Sequence, residues 1–481
     1  MSSPSEGPRP MHDSTMKHEA QEQTVSEQIG AFVEKLTLDR VPAAIVERAK
    51  YLILDAVGCA VAAREEPFAL TMSAAAAQLS GDGPRGVIGM AARLPLRDAA
   101  LVNSMLAHGL DYDDTHTAGV IHLTVSTFPV ALAMAARSDA TGAALLTAYI
   151  AGIETGARIA SVAKGGFHRA GFHPTSLVGT FACTLVAGKL LGLSPDGLAD
   201  AQGIALSLAS GSLQFLEDGS WTKRLHPGWA ASAGITAASY AQSQIPAPHA
   251  AYEGRYGLFR THLPPDLLAA CDESLATAGL MQQWELEQVA VKPFPACHLL
   301  HGCADAAIAL HREGVDPQRI RRIRGLVPAG VVQVVCEPMQ AKRRPVSDYD
   351  AKFSMPYAVA CGLLRGRFAL DDLNAEAIAD SAIQALMDLV EYAVDEASTY
   401  PRHYTGEVIV ELDDGSTRRH RVAINRGNAE RPITGADIES KFFENFTRTA
   451  THEQAQQVLD AVLHLDTLPS AARFESLLTL Q

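Results

Sequence analysis

From Thr24 to about residue 285 the chain keeps one hydrophobic rhythm, and this helical periodicity limits its fold more than any other feature. Val25, Ile29, Phe32, Val33 and Leu36 recur at the spacing that puts side chains on one helix face. Pro42 opens a second helix through Ile45, Val46, Leu52 and Ile53. Around Val57 that helix becomes apolar nearly all round, which predicts burial. Further helices are predicted near 97–110, 124–137, 142–164, 175–191, 196–210 and 227–243. The punctuation agrees: Ser194-Pro195 reads as an N-cap followed by proline at the first helical position, and Pro174 opens the helix near Thr175. Gly166, Gly192 and Gly228 fall at ends or turns. Abundant alanine lets such helices approach closely.

The texture then changes. Residues 319–336 form a β-rich run, with Ile320, Ile323, Leu326 and Val327 before Pro328 and Val331, Val332, Val334 and Val335 after it. Residues 407–424 read as a hairpin, in which Val408, Val410 and Leu412 alternate, Asp413-Asp414-Gly415 turns, and Val422 and Ile424 alternate back. Helical stretches are predicted between them, near 347–364 and 374–394. The division is therefore a polar, disordered tail over 1–23, a helical domain over 24–286, a smaller α+β domain over 287–432, and helices over 433–481 that return to the first domain.

Several function classes drop out. A formal net charge of −14 lacks the basic footprint of a nucleic-acid binder. No apolar run reaches the roughly 18 residues of a membrane span. The first 23 residues hold no apolar core of a signal peptide. Seven scattered cysteines, an odd number mostly in apolar stretches, fit a reducing compartment, so a cytoplasmic protein is expected. No GxGxxG follows a strand, and GxxxxGK[ST] and GxSxG are absent. What remains is acid–base chemistry by His, Asp and Lys on an anion.

Four clusters carry candidates for it. The densest is His108-Gly-Leu-Asp111-Tyr112-Asp113-Asp114-Thr115-His116, followed by His122, on the loop after a helix. It reads either as a reactive acidic loop or as a solvated one with capping aspartates. Gly171-Phe172-His173-Pro174-Thr175-Ser176 places a histidine before a helix N-terminus, whose free N–H groups attract an anion; the plainer reading is a helix start capped by Thr175 or Ser176. Trp221-Thr222-Lys223-Arg224-Leu225-His226-Pro227 puts two cations ahead of a helix start, either a polyanion site or a basic surface loop. Lys292-Pro293-Phe294-Pro295-Ala296-Cys297-His298, with His301 and Cys303, has zinc-ligand residue types, but the spacing matches no common zinc pattern, and no metal is expected.

In this order the clusters resemble the MmgE/PrpD family of 2-methylcitrate dehydratases, cis-aconitate decarboxylases and iminodisuccinate epimerases. The matching text is AHGLDYDDTH followed by VIH within 107–122, GFHPTSLVGT at 171–180, TKRLHPGWAA at 222–231, VKPFPACHLLH at 291–301 and DAKFSMPYAVACGLLRG at 350–366. The resemblance implies a mainly α fold, with a large helical domain built from both chain ends and an α+β lid. It also implies a homodimer, a small polycarboxylate substrate bound between domain and lid, and no cofactor. Carried over, the pocket uses Asp111, Thr115, His122, His173, Lys223 and Lys292, with His298 or Cys297 beside them. Two departures stand out: His122-Leu123-Thr124 replaces the family's usual His-Pro-Ser, and the segment 331–337 lacks the tyrosine that decarboxylases carry there.

The implied chemistry is proton transfer next to a carboxylate by a lyase, a dehydratase or a decarboxylase. Lys223 and Lys292 hold carboxylates, His122 or His173 acts as base or acid, Asp111 orients a histidine or joins the proton transfer, and Thr115 donates a hydrogen bond. An epimerase returning the proton on the other face is the rival within the family, with His168 before His173 supplying a second base. A non-catalytic carboxylate-binding protein is the rival outside it.

Overall fold

The structure, a computed structural model, describes residues 23–480, so the tail expected over 1–23 lies, but for its last residue, outside the described residues. The fold is mainly α. One hydrophobic core runs from Ile29 to Val291 and resumes from Ile433 to Leu480. A second, smaller core lies between them in sequence, from Phe294 to Val422. Among the described residues no helix is long and apolar enough to cross a membrane.

The first core is built of helices. Val25–Lys35 starts with a capping box, in which Thr24 accepts from Glu27 N–H and the Glu27 carboxylate accepts from Thr24 N–H. In Ala43–Ala63 every residue from Leu52 onward is buried, so its all-round apolar pattern marks the centre of the bundle. Thr222–Gln242 packs against Pro174–Leu190 at small residues: a Cβ on Gly234 would lie 2.5 Å from the Cβ of Cys183. Leu96–His108 meets the same helix at Gly228, where an added Cβ would lie 2.6 Å from the Leu101 carbonyl oxygen. The C-terminal helices Gly435–Phe446, His452–Leu463 and Ala471–Leu478 lay Phe442, Phe446, Leu459 and Phe474 into this core.

Thr222–Gln242 begins five residues before the predicted start, so Lys223, Arg224 and His226 stand in its first turns and not on a loop ahead of it. Pro227 lies inside this helix, where it forfeits one intrahelical N–H bond.

The second core is an α+β unit. Its sheet runs in the order Val390–Val394, Ile320–Val327, Gly406–Leu412, Thr417–Val422. The first pair is parallel and the other two are antiparallel, the last being the expected hairpin. Helices His301–Arg312 and Met355–Arg365 pack on it. Two expectations are corrected here. The β-rich run ends at Val327, because Pro328 brings no N–H to the sheet; Ala329–Val331 and Val332–Val335 are short helical turns. The stretch 374–394 breaks into Ala375–Ile378, Ser381–Asp388 and the strand Val390–Val394, with Asp380 capping the second helix. In the first unit Thr115–His116 pairs antiparallel with Val289–Ala290, just before the chain enters the second, which brings the acidic loop beside Lys292.

Candidate active site

After Leu96–His108 ends, the chain turns sharply. Asp111 adopts a left-handed backbone, φ 53°, a conformation that asparagine and aspartate tolerate better than most residues. Its buried carboxylate faces two ammonium groups: Oδ1 lies 2.6 Å from Lys292 Nζ and 2.9 Å from Lys223 Nζ. Lys292 also donates to the Asp111 carbonyl at 2.9 Å. Burial opposes charge on Asp111, yet the two lysines hold its carboxyl well below the usual range. Burial alone would lower Lys292, and Asp111 more than offsets it. The cluster carries one net positive charge. Asp111 makes no hydrogen bond to an imidazole among the described residues, so its expected role of orienting a histidine is corrected: it bridges the two lysines.

The orienting carboxylate is Asp113. Its Oδ2 lies 2.9 Å from His108 Nδ1 and 3.2 Å from His122 Nδ1. His122 Nδ1 is also 2.6 Å from the Asp114 carbonyl, which only an N–H can satisfy. His122 therefore carries its proton on Nδ1, and Nε2, without a hydrogen-bond partner among the described residues, holds the lone pair. His108, Asp113 and His122 are also the one group among the described residues close enough together for a cation. Both Nδ1 atoms are used as donors to Asp113, however, so neither offers that lone pair to a metal. Of the zinc-like set, His301 Nε2 donates to the Ala296 carbonyl at 3.1 Å and Cys303 points to the Leu326 carbonyl.

The replaced residues at 123 and 124 do not line the cavity. Leu123 packs against Gly156, and the Thr124 hydroxyl bonds Asp114 Oδ2 and, at 2.8 Å, the Tyr149 hydroxyl. Burial pushes the Asp114 carboxyl up to about 7 against that hydrogen bond. Thr115 Oγ1 lies 3.3 Å from His122 Nδ1. Thr175 does not cap its own helix; its hydroxyl accepts the His122 backbone N–H at 3.1 Å and ties the two clusters together.

His173 stands at the N-cap of Pro174–Leu190. Its Nδ1 is 2.9 Å from His226 Nδ1, so one ring donates and the other accepts. Burial, then the neighbouring His226 and Lys223, push His173 well below the usual histidine value; burial pushes His226 down to about 4. The pair is neutral near pH 7. His298 is buried, and its Nε2 accepts from Asn425 Nδ2 at 3.0 Å. Asn425 Oδ1 accepts from Tyr404 N–H, which fixes the amide orientation. The His298 Nδ1–H is left without a partner among the described residues.

Asp111, Thr115, His122, His173, Lys223, Lys292 and His298 all line one cavity between the two units, and Cys297 lines it too. Sequence reasoning missed Tyr404 and His226 as members of this neighbourhood. His226 stood in a cluster already singled out, but Tyr404 is a lone aromatic in a loop, with no pattern to mark it. The cavity can hold an anion on two lysines and present the free Nε2 of His122 to it.

The chain is similar to known proteins along most of its length. Residues 27–269 match the MmgE/PrpD N-terminal domain and residues 294–466 the MmgE/PrpD C-terminal domain. The chain is 29% identical over 474 residues to the cis-aconitate decarboxylase of Homo sapiens, covering 95% of this chain and 94% of that protein. It is 27% identical over 475 residues to the enzyme of that name from Mus musculus, covering 95% and 93%. It is 25% identical over 482 residues to the cis-aconitate decarboxylase-like protein oryM of Aspergillus oryzae, covering 97% and 99%. With both domain types matched in order over most of its length, the chain belongs to the MmgE/PrpD family.

Proposed function

We propose that this protein is a lyase that releases CO2 from a small unsaturated polycarboxylate without a cofactor. The observation that carries the reading is the meeting of Lys223, Lys292 and the free Nε2 of His122 in one cavity. The full-length likeness to cis-aconitate decarboxylases supports decarboxylation over dehydration.

Lys223 and Lys292 hold the carboxylates that remain, and the Thr115 hydroxyl is placed to donate to one of them. The bond to the departing carboxylate breaks, its electron pair forms a new C=C, and the pair of the old double bond takes up a proton at carbon. The charge that builds up spreads onto the retained carboxylates, which the fixed ammonium groups face without having to reorganise. His122 moves the proton: when Nε2 carries it, the Asp113 carboxylate at 3.2 Å faces the imidazolium charge.

A second reading, epimerisation, is favoured by one observation. The rings of His122 and His173 lie 6.1 Å apart on the same cavity, an arrangement that suits two bases. The test is an assay panel of cis-aconitate, citrate, 2-methylcitrate and iminodisuccinate in deuterated water, with products followed by mass spectrometry. Loss of CO2 with one deuterium incorporated supports the decarboxylase. Exchange without loss of CO2 or water moves the assignment to the epimerase, and loss of water alone to a dehydratase.

A further inference from the structure

His122 owes its tautomer to the Asp114 carbonyl, which at 2.6 Å is the nearest of three oxygens around Nδ1; Asp113 Oδ2 stands at 3.2 Å and Thr115 Oγ1 at 3.3 Å. Asp114 is also held at its other end. Its carboxyl is buried, Oδ1 has no hydrogen-bond partner among the described residues, and Oδ2 accepts from the Thr124 hydroxyl. A hydroxyl carries one proton, and Thr124 gives it to Asp114, so the Tyr149 hydroxyl at 2.8 Å is the donor to Thr124. Burial, with Asp114 next, pushes the Tyr149 phenol well above its usual value, which keeps that proton in place. Thr124 opens the helix Thr124–Ser138, and Tyr149 lies within Gly142–Val162. Both are fully buried and neither lines the cavity, so neither can touch a substrate there. A buried hydroxyl is costly unless bonded, and phenylalanine would fill the space of Tyr149. What the hydroxyl adds to packing is the bond to Thr124, and through it a fixed Asp114.

We infer that Tyr149, Thr124 and Asp114 are positioning residues for His122: their chain of hydrogen bonds pins the Asp114 carbonyl against Nδ1 and so keeps the Nε2 lone pair available to the cavity. Residue 114 is thereby tied twice to the segment 122–124, by its carbonyl to the His122 ring and by its carboxyl to Thr124. With the carboxyl untied, the carbonyl is free to swing and the ring is left to the two longer contacts, of which Asp113 Oδ2 is shared with His108 at 2.9 Å. The ring can then turn or exchange tautomers, and the fraction of molecules with Nε2 unprotonated and in place falls. The inference rests on the reading of His122 as the residue that moves the proton.

Two measurements keep the inference and that reading apart. The first is nitrogen NMR of the intact protein, isotopically labelled at histidine, with the His122 signals assigned by their loss in His122→Gln. The parent should show Nδ1 as an N–H and Nε2 as a lone-pair nitrogen. Tyr149→Phe and Thr124→Val should mix the two tautomers, and Thr124→Ser, which keeps the hydroxyl, should match the parent. His122 signals unchanged in Tyr149→Phe overturn the inference whatever the rate does, and so does a neutral parent ring that carries its proton on Nε2. The second measurement is turnover of cis-aconitate. Tyr149→Phe and Thr124→Val should lower kcat about tenfold, the equivalent of about 1.4 kcal/mol, with KM within about twofold of the parent and Thr124→Ser near the full rate. An unchanged kcat, or a loss confined to KM, overturns the inference. No turnover by the parent, with the tautomers mixing as stated, overturns the decarboxylase reading and leaves the positioning chain standing. Where Thr124→Val fails to fold, Tyr149→Phe, which keeps the ring in the core, decides alone.

Discussion

Replacing Asp111 with asparagine removes one charge and keeps the shape, and the structure sets what should follow. Its Oδ1 is 2.6 Å from Lys292 Nζ and 2.9 Å from Lys223 Nζ, so the two ammonium groups are at most about 5.5 Å apart. At an effective dielectric of about 20, two like charges at that separation repel by about 3 kcal/mol. The carboxylate offsets that repulsion in the parent and the amide does not, so Asp111→Asn leaves about 3 kcal/mol uncompensated at pH 7 and should pull one lysine about two pH units below its unfolded value. The pH dependence should change sign. In the parent, Lys292 is raised above its unfolded value, so its contribution is complete below about pH 10.4 and fades only as pH rises through the folded value. In the variant the unfolded chain binds the extra proton between about pH 8.4 and 10.4, so stability should rise across that window. Urea unfolding at pH 7, 9 and 10 reads both effects, and the double variant Asp111→Asn/Lys292→Met should regain most of the loss. A variant whose slope matches the parent's, or a double variant weaker than either single one, would refute the charge bridge.

Lys292→Ala should raise KM roughly 10- to 100-fold, the equivalent of about 1.5–3 kcal/mol for one charge-assisted contact, and Lys292→Arg should raise it less; an unchanged KM places this lysine outside substrate contact. Burial pushes His301 down to about 3, so below pH 6.5 the unfolded chain binds a proton that the folded one refuses, and stability falls with pH. Between pH 7 and 5 the stability gap between the parent and His301→Gln should shift by about 2 kcal/mol in the variant's favour, and a constant gap in urea titrations would count against it. Lys441→Met strands the buried Asp55 carboxylate, 2.6 Å from Lys441 Nζ, and should cost about 3–5 kcal/mol, with Asp55→Leu in the same chain recovering part of it. Exhaustive chelation should leave activity intact; stoichiometric zinc whose removal abolishes activity would instead give His108, Asp113 and His122 to a metal.

Helix positions were legible because the bundle imposes a 3.6-residue pattern on long segments, and caps such as Ser194 before Pro195 sharpen the boundaries. The cavity residues were legible because each sits in a dense polar cluster beside an apolar run. Local pattern could not give the partners. Asp111, Asp113 and Asp114 are alike in sequence, and only the left-handed turn at Asp111 sends one to the lysines and leaves another against the histidines. Nor could the β-rich text after Pro328 show that the sheet stops there, since valine favours strands and the missing N–H is a tertiary matter. Tyr404 lines the cavity from a segment far along the chain from Asp111, His173 and Lys223, and no local signal joins them.

From the helix Gly435–Phe446, Lys441 donates to the Tyr112 carbonyl at 2.7 Å and to the Lys292 carbonyl at 3.0 Å, so one ammonium group clamps the backbone of the acidic loop to that of the Lys292 segment. It lies 329 residues after Tyr112 and 149 after Lys292. A growing polypeptide on the ribosome thus makes every cavity-lining side chain well before it makes the clamp that sets their spacing. A product that stops short of Lys441 leaves those two buried carbonyls without the donor they have here.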